Sequence, residues 1–145
     1  GNGMRVGVVQ FVKGVWETGE RHILEAFPEQ IVIKAMGEGF SWDTQDRQRD
    51  ILAAEQAWAT SKDMIESGDF EMVILDELNI PLRYDNLDIN AVVKTLTARP
   101  KMLHVVVTGR NARDELLDAA DLVTEMTMIK HPFRSGVKAQ KGIEF

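Results

Sequence analysis

The chain has 145 residues, 44% hydrophobic and 28% charged, with a net charge of −6 and no cysteine. That length suits one domain burying about 70% of its unfolded surface, and the absence of thiols excludes a disulfide framework, a thiolate nucleophile and cysteine-ligated zinc or iron–sulfur centres. The acidic balance argues against a broad nucleic-acid face, no apolar run approaches the roughly 20 residues of a membrane span, and the first residues lack a signal-peptide pattern, so the expectation is a soluble cytoplasmic protein without nucleic-acid or membrane partners.

Along the chain, strand and helix patterns alternate. Arg5 to Phe11 is β-branched and nearly all apolar, as a strand covered on both faces should be. Ile31 to Met36 predicts a second strand, followed by a glycine-rich stretch from Gly37 to Phe40. From Thr44 to Ser67 the pattern is helical, with Ile51, Ala54, Trp58 and Ile65 at helical spacing and Gly68 as a C-terminal stop. Met72 to Leu75 forms an apolar strand ending in the adjacent acids Asp76 and Glu77. Asp88 to Ala98 predicts a helix with Ile89, Val92, Val93 and Leu96 on one face, ended by Pro100. Leu103 to Val107 is a further apolar strand running into Thr108-Gly109-Arg110. A short helix over Asp114 to Ala120 precedes a last strand, Leu122 to Ile129, and a tail from Lys130 to Phe145. This alternation predicts an α/β fold: a mostly parallel sheet with helices on both faces and right-handed crossovers.

The chemistry-bearing residues fall at predicted strand ends. An acidic pair at the carboxyl end of a buried parallel strand is where phosphate-handling α/β proteins hold Mg2+, because a hard cation takes carboxylate oxygens and lets the substrate phosphates complete its shell. The bland reading of Asp76 and Glu77 is that one of them caps the turn before Pro81. Gly109 would let the backbone approach a ligand and Arg110 could fork onto a phosphate, against the alternative of a solvated loop arginine. Gln10, Lys13 and Gly14 end the first strand and could face the same crevice. Gly1-Asn2-Gly3 reads either as the front of a phosphate loop or as a turn before the first strand, and no complete G-x-x-x-x-G-K-[ST] is present.

Phe40 and Trp42, two residues apart after a pair of glycines, place large apolar groups on a loop, which is unfavourable unless they cover a ligand or fold into the core. Trp58 and Phe70 are accounted for by helix and strand packing. His22, His104 and His131 have no metal-ligand spacing, and His104, inside an apolar strand, is expected in the core. Asp43, Asp46, Asp50 and Glu55 read as a solvated helix face.

These blocks together resemble the ATP:corrinoid adenosyltransferases of the RecA-like P-loop type. The resemblance runs through Val8-Val9-Gln10-Phe11-Val12-Lys13-Gly14, Gly19-Glu20-Arg21, Gly39-Phe40-Ser41-Trp42-Asp43-Thr44-Gln45, Val73-Ile74-Leu75-Asp76-Glu77-Leu78, Thr108-Gly109-Arg110 and the tail Gly136-Val137-Lys138-Ala139-Gln140-Lys141-Gly142-Ile143-Glu144-Phe145. The GFxWxTQ block and the GxKAQxGI tail are its most specific parts. It implies a three-layer P-loop-type sandwich and the transfer of the 5′-deoxyadenosyl group of ATP to the cobalt of a Co(I) corrinoid, with release of triphosphate, in adenosylcobalamin biosynthesis or salvage.

The same resemblance implies roles for individual residues. Phe40 and Trp42 would be an apolar wedge that removes the lower axial ligand of Co(II), easing its reduction, with Arg47 helping to fix the closed loop. Glu77 would be the carboxylate on Mg2+, supported by Asp76. Arg110 would contact phosphate, with Gln10 and Lys13 in the nucleotide crevice. A homodimer, and flavodoxin or reduced flavin as electron donor, are family expectations. Members carry a GNGKGK[ST] loop and a helix ahead of the strand that here begins at Arg5, whereas in this chain Gly1-Asn2-Gly3 meets Met4. The expectation is one adenosyltransferase domain over residues 1–145, either a subset of a longer polypeptide that supplies the loop and first helix, with Gly1, Asn2 and Gly3 at the front of that loop, or a true truncation with impaired ATP binding. Two alternatives stand beside it. A generic P-loop-type NTPase would leave the Gly39–Trp42 block and the tail unexplained, and a catalytically silent corrinoid- or nucleotide-binding module would lack the usual D-x-H-x-x-G cobalt-ligating signature, which is absent here.

Overall fold

The computed structural model describes residues 1–12, 19–37, 47–140 and 142. Among the described residues four strands form one all-parallel sheet: β1 (Val6–Gln10), β2 (Ile31–Ala35), β3 (Met72–Asp76) and β4 (His104–Val107), in the order β2-β1-β3-β4. Between them run helices α1 (Gly19–Glu25), α2 (Arg47–Glu66), α3 (Asn79–Arg83) and α4 (Ile89–Thr97), and α5 (Asp114–Ala119) follows β4. The first crossover moves from β1 to one side of the sheet and the later ones move back across it, so right-handed connections place α1 on the face opposite α2 and α4. This is the α/β fold expected from the alternation, and it is consistent with the P-loop-type sandwich that the resemblance implies.

The main core lies under α2 and α4. The register sets Val9 beside Leu75 and Leu75 beside Val107, and this row packs with Ala54, Trp58 and Ile65 of α2 and Val92 and Leu96 of α4. Gly7 lies on the same face, where a Cβ would come within 2.9 Å of the Met64 sulfur, so the glycine lets α2 lie close to β1. Leu75 is fully buried in this cluster. Leu75→Ala should cost about 2–5 kcal/mol through lost transfer energy and a residual cavity, measurable as a lowered urea midpoint at unchanged m-value.

Local signals explain the helix ends. Asp88 accepts the Asn90 N–H at 2.9 Å and caps α4, and Gly68, at φ 74°, follows the end of α2 as the stop expected there. Thr44 to Asp46, the predicted first residues of that helix, lie outside the described residues. Two helices escaped the sequence reading. Helix α1 buries none of its residues and so has no apolar stripe to detect, and α3 carries Pro81 in its first turn, where a proline's missing N–H costs no helix hydrogen bond.

The predicted strand Leu122–Ile129 is not formed: among the described residues no ladder reaches it and the sheet ends at β4. Its β-rich composition has no strand neighbour among the described residues, and β propensity is realised only by packing in a sheet. Leu122, Met126 and Ile129, with Phe133 in a one-turn 3-10 helix over Pro132–Ser135, are 76–95% exposed. His104 also departs from expectation: it is exposed rather than core. On β4 it shares the face of Val106, itself 39% exposed, while Val105 and Val107 pack against the core. The strand lies at the sheet edge with one face covered, so the apolar run did not mean burial on both sides. Trp58 is core as expected, and Phe70 is half-buried against it.

Candidate active site

Parallel strands bring their carboxyl ends to one edge, and there the register sets Gln10 beside Asp76, with Thr108 next in line on β4. Thr108 joins the two strand ends. Its hydroxyl donates to Asp76 Oδ1 at 2.9 Å and accepts the Glu77 N–H at 3.0 Å. Gln10 Nε2 donates to Asp76 Oδ2 at 3.4 Å, and the Phe11 N–H donates to the Asp76 carbonyl at 3.0 Å. Both oxygens of Asp76 are therefore engaged, and its half-buried carboxylate is held in one orientation.

Glu77 differs. It sits at φ 64°, a left-handed conformation that non-glycine residues seldom adopt, and its carboxylate takes no hydrogen bond among the described residues. Neither acid caps α3, whose N-cap position, Leu78, has no side-chain cap. The donor set is thus one tethered carboxylate and one free carboxylate side by side. No cluster of three or more potential metal ligands occurs among the described residues. Such a pair suits a cation that keeps water and substrate phosphate in most of its shell, as Mg2+ does, and is too small for an all-protein cage.

Gly109 lies against this turn at φ 126°. A Cβ there would stand 2.8 Å from Asn79 Cβ and 3.3 Å from Glu77 Oε2, so only glycine permits the approach. Arg110 follows, exposed and without an ion-pair partner among the described residues. Arg113 pairs with Asp85 at 2.8 Å and Glu115 at 3.0 Å, fixing the chain beyond it. The hydrogen bond to Glu115 raises the Arg113 pKa, and the Glu115 carboxyl is lowered by its own backbone N–H and then by Arg113.

The structure therefore gathers Gln10, Asp76, Glu77 and Arg110 at one edge. It does not bring Gly1, Asn2 and Gly3 there: they are exposed and precede β1 at the opposite edge, about 15 Å away along a five-residue strand. Arg47 is exposed at the start of α2. Lys13, Phe40 and Trp42 lie outside the described residues, whereas Met36 and Gly37 lie at this edge. The Met36 and Gly37 N–H groups both donate to the Gln10 carbonyl, and a Cβ on Gly37 would stand 2.5 Å from the Val12 carbonyl carbon. A separate cleft of about 570 Å³ between α2 and the start of α4, floored by Trp58 and Val92, contains none of the strand-end residues. Sequence reasoning missed Asn79 and the bridging role of Thr108, since neither residue type announces a partner more than two dozen positions away.

The family profile described as ATP:corrinoid adenosyltransferase BtuR/CobO/CobP matches residues 1–145. The chain belongs to the ATP:corrinoid adenosyltransferase family. Among curated relatives, the corrinoid adenosyltransferase of Pseudomonas aeruginosa is 52% identical over 145 residues, covering 100% of this chain and 71% of the relative. That of Sinorhizobium sp is 53% identical over 146 residues, covering 99% and 68%, and that of Escherichia coli K12 is 43% identical over 145 residues, covering 100% and 73%. For an adenosyltransferase of this family, the strand-end carboxylates and the unpaired arginine fall where an α/β sheet binds its ligand, at the carboxyl edge.

Proposed function

We propose that this carboxyl-edge crevice binds MgATP and that the chain transfers the adenosyl group from ATP to the cobalt of a corrinoid in cobalamin biosynthesis or salvage. In the balanced step the Co(I) electron pair attacks C5′, the Co–C bond forms, the C5′–O bond breaks, and its electrons leave with the triphosphate. The nucleophile belongs to the substrate, so the protein has to position and neutralise. The observation that carries this reading is the meeting of a free Glu77 carboxylate, a tethered Asp76 and an unpaired Arg110 at one strand edge of a family member.

Glu77 would hold the magnesium that accompanies ATP, with Asp76 buttressing it through Thr108. Arg110 would face the triphosphate and offset its growing charge as it leaves, and Gln10 and Lys13 would line the nucleotide side. Gly1, Asn2 and Gly3 are left out of this site because of their position. Phe40 and Trp42 would press on the corrin face that carries the lower axial ligand, with Arg47 anchoring the return of their segment. The position of Met36 and Gly37 beside Gln10 supports this placement.

A homodimer is supported by the exposed Leu122, Met126, Ile129 and Phe133, an apolar set that a monomer has reason to cover. A cytoplasmic location suits a biosynthetic enzyme of this family, and flavodoxin or reduced flavin as electron donor is an expectation of the family resemblance. Among the described residues no helix is long and apolar enough to cross a membrane.

An anaerobic absorbance spectrum of Co(II) cobalamin with the full-length protein tests both subsites together. With MgATP, the spectrum should shift to that of a four-coordinate cobalt lacking its lower ligand. An unchanged spectrum while ATP still binds would replace this reading with that of a nucleotide hydrolase.

A further inference from the structure

Asn79 is 5% exposed and belongs to neither acid motif, yet it is a second point, beside Thr108, at which the two halves of the crevice touch. Its Nδ2 donates to the Gly109 carbonyl at 3.0 Å, and its backbone N–H donates to the Thr108 carbonyl at 3.4 Å. Its Cβ occupies the space that keeps position 109 a glycine. Its Oδ1 is buried with no hydrogen-bond partner among the described residues. A buried amide that satisfies only one side is a poor choice for stability alone, since an apolar side chain of similar volume would avoid the stranded oxygen. What the amide supplies, and an apolar residue cannot, is a fixed grip on the peptide that leads directly into Arg110.

We propose that Asn79 is a positioning residue that sets Arg110 against the Glu77 turn, so that guanidinium and carboxylate address the same triphosphate. This rests on the reading of the crevice as the ATP site. Thr108 already ties Glu77 to β4 through its hydroxyl, and Asn79 makes the second tie, from the start of α3 to the residue after Thr108. Two ties on successive residues of β4's end remove the rotation that a single hinge would leave. Without the second, Arg110 keeps its charge but loses a defined place, at a glycine whose backbone is otherwise free to turn.

The test is a double-mutant cycle between Asn79→Leu and Arg110→Ala, read by the affinity of the full-length protein for inorganic triphosphate with Mg2+, alongside kcat and KM for ATP and the thermal midpoint. Asn79→Leu should weaken triphosphate binding about tenfold, the scale of one lost hydrogen bond, without lowering the thermal midpoint. In the Arg110→Ala background the same change should cost nothing further, because Asn79 acts through Arg110. Asn79→Asp, which keeps the shape but turns the donor into an acceptor facing the Gly109 carbonyl, should reproduce the loss and serves if the leucine variant does not fold. Equal losses in both backgrounds, or unchanged binding by a folded variant, would overturn the proposal. Triphosphate that binds normally to the unsubstituted protein while no adenosylcorrinoid forms would instead overturn the reading of the reaction and leave the role of Asn79 tested.

Discussion

Replacing Phe40 and Trp42 together by alanine should abolish adenosylation when the corrinoid is supplied as Co(II) with a weak reductant, while leaving MgATP binding within about twofold. The lower axial ligand stabilises Co(II), so removing it is what brings the metal within reach of a mild electron donor. Two large apolar side chains can exclude that ligand without replacing it, and alanines cannot. The expected fall in turnover is about a hundredfold or more, the scale at which a misplaced reacting group loses productive geometry. Most of the activity should return when chemically prepared Co(I) corrinoid is supplied, because the reduction step is then bypassed. A double variant equally impaired with Co(I) would assign these aromatics to binding or alkyl transfer.

Glu77→Gln is the second large effect. The substitution keeps shape and hydrogen-bonding reach but removes the charge, so Mg2+-dependent ATP affinity should fall by about 1–3 kcal/mol, with a larger loss if the cation no longer binds. The variant should also lose sensitivity to Mg2+ concentration in a binding titration. Unchanged Mg2+ dependence would move the metal to Asp76, whose oxygens already receive Thr108 and Gln10. Glu77→Gly separates function from fold at the same position. Relief of a left-handed φ of 64° should raise stability by about 1 kcal/mol, while catalysis falls as it does in the glutamine variant.

What the sequence makes legible follows from which interactions are local. Helices α2 and α4 could be read because apolar residues at helical spacing, the Gly68 stop and the break at Pro100 all lie in or beside the segments they define. The inner strands could be read because burial on both faces leaves a continuous apolar run. Helix α1, with no buried residue, and α3, with Pro81 in its first turn, lack those marks. Strands fail where pairing is decided elsewhere: Leu122–Ile129 has β composition but no strand neighbour among the described residues, and His104 is placed by the position of β4 at the sheet edge.

The site divides in the same way. Asp76, Glu77 and Arg110 were visible as residue types at strand ends, and parallel topology brings strand ends together. The roles of Thr108 and Asn79 arise from contacts 30 or more positions apart, which no local pattern encodes. The position of Gly1–Gly3 likewise depends on which end of β1 they adjoin rather than on their resemblance to a phosphate loop.

The most direct measurement is product analysis after anaerobic incubation of the full-length protein with ATP, Mg2+ and chemically reduced Co(I) corrinoid. The account predicts light-sensitive adenosylcorrinoid and inorganic triphosphate in equal amounts, both dependent on the corrinoid. ADP and orthophosphate formed at the same rate without corrinoid, with no cobalt–carbon product, would contradict it.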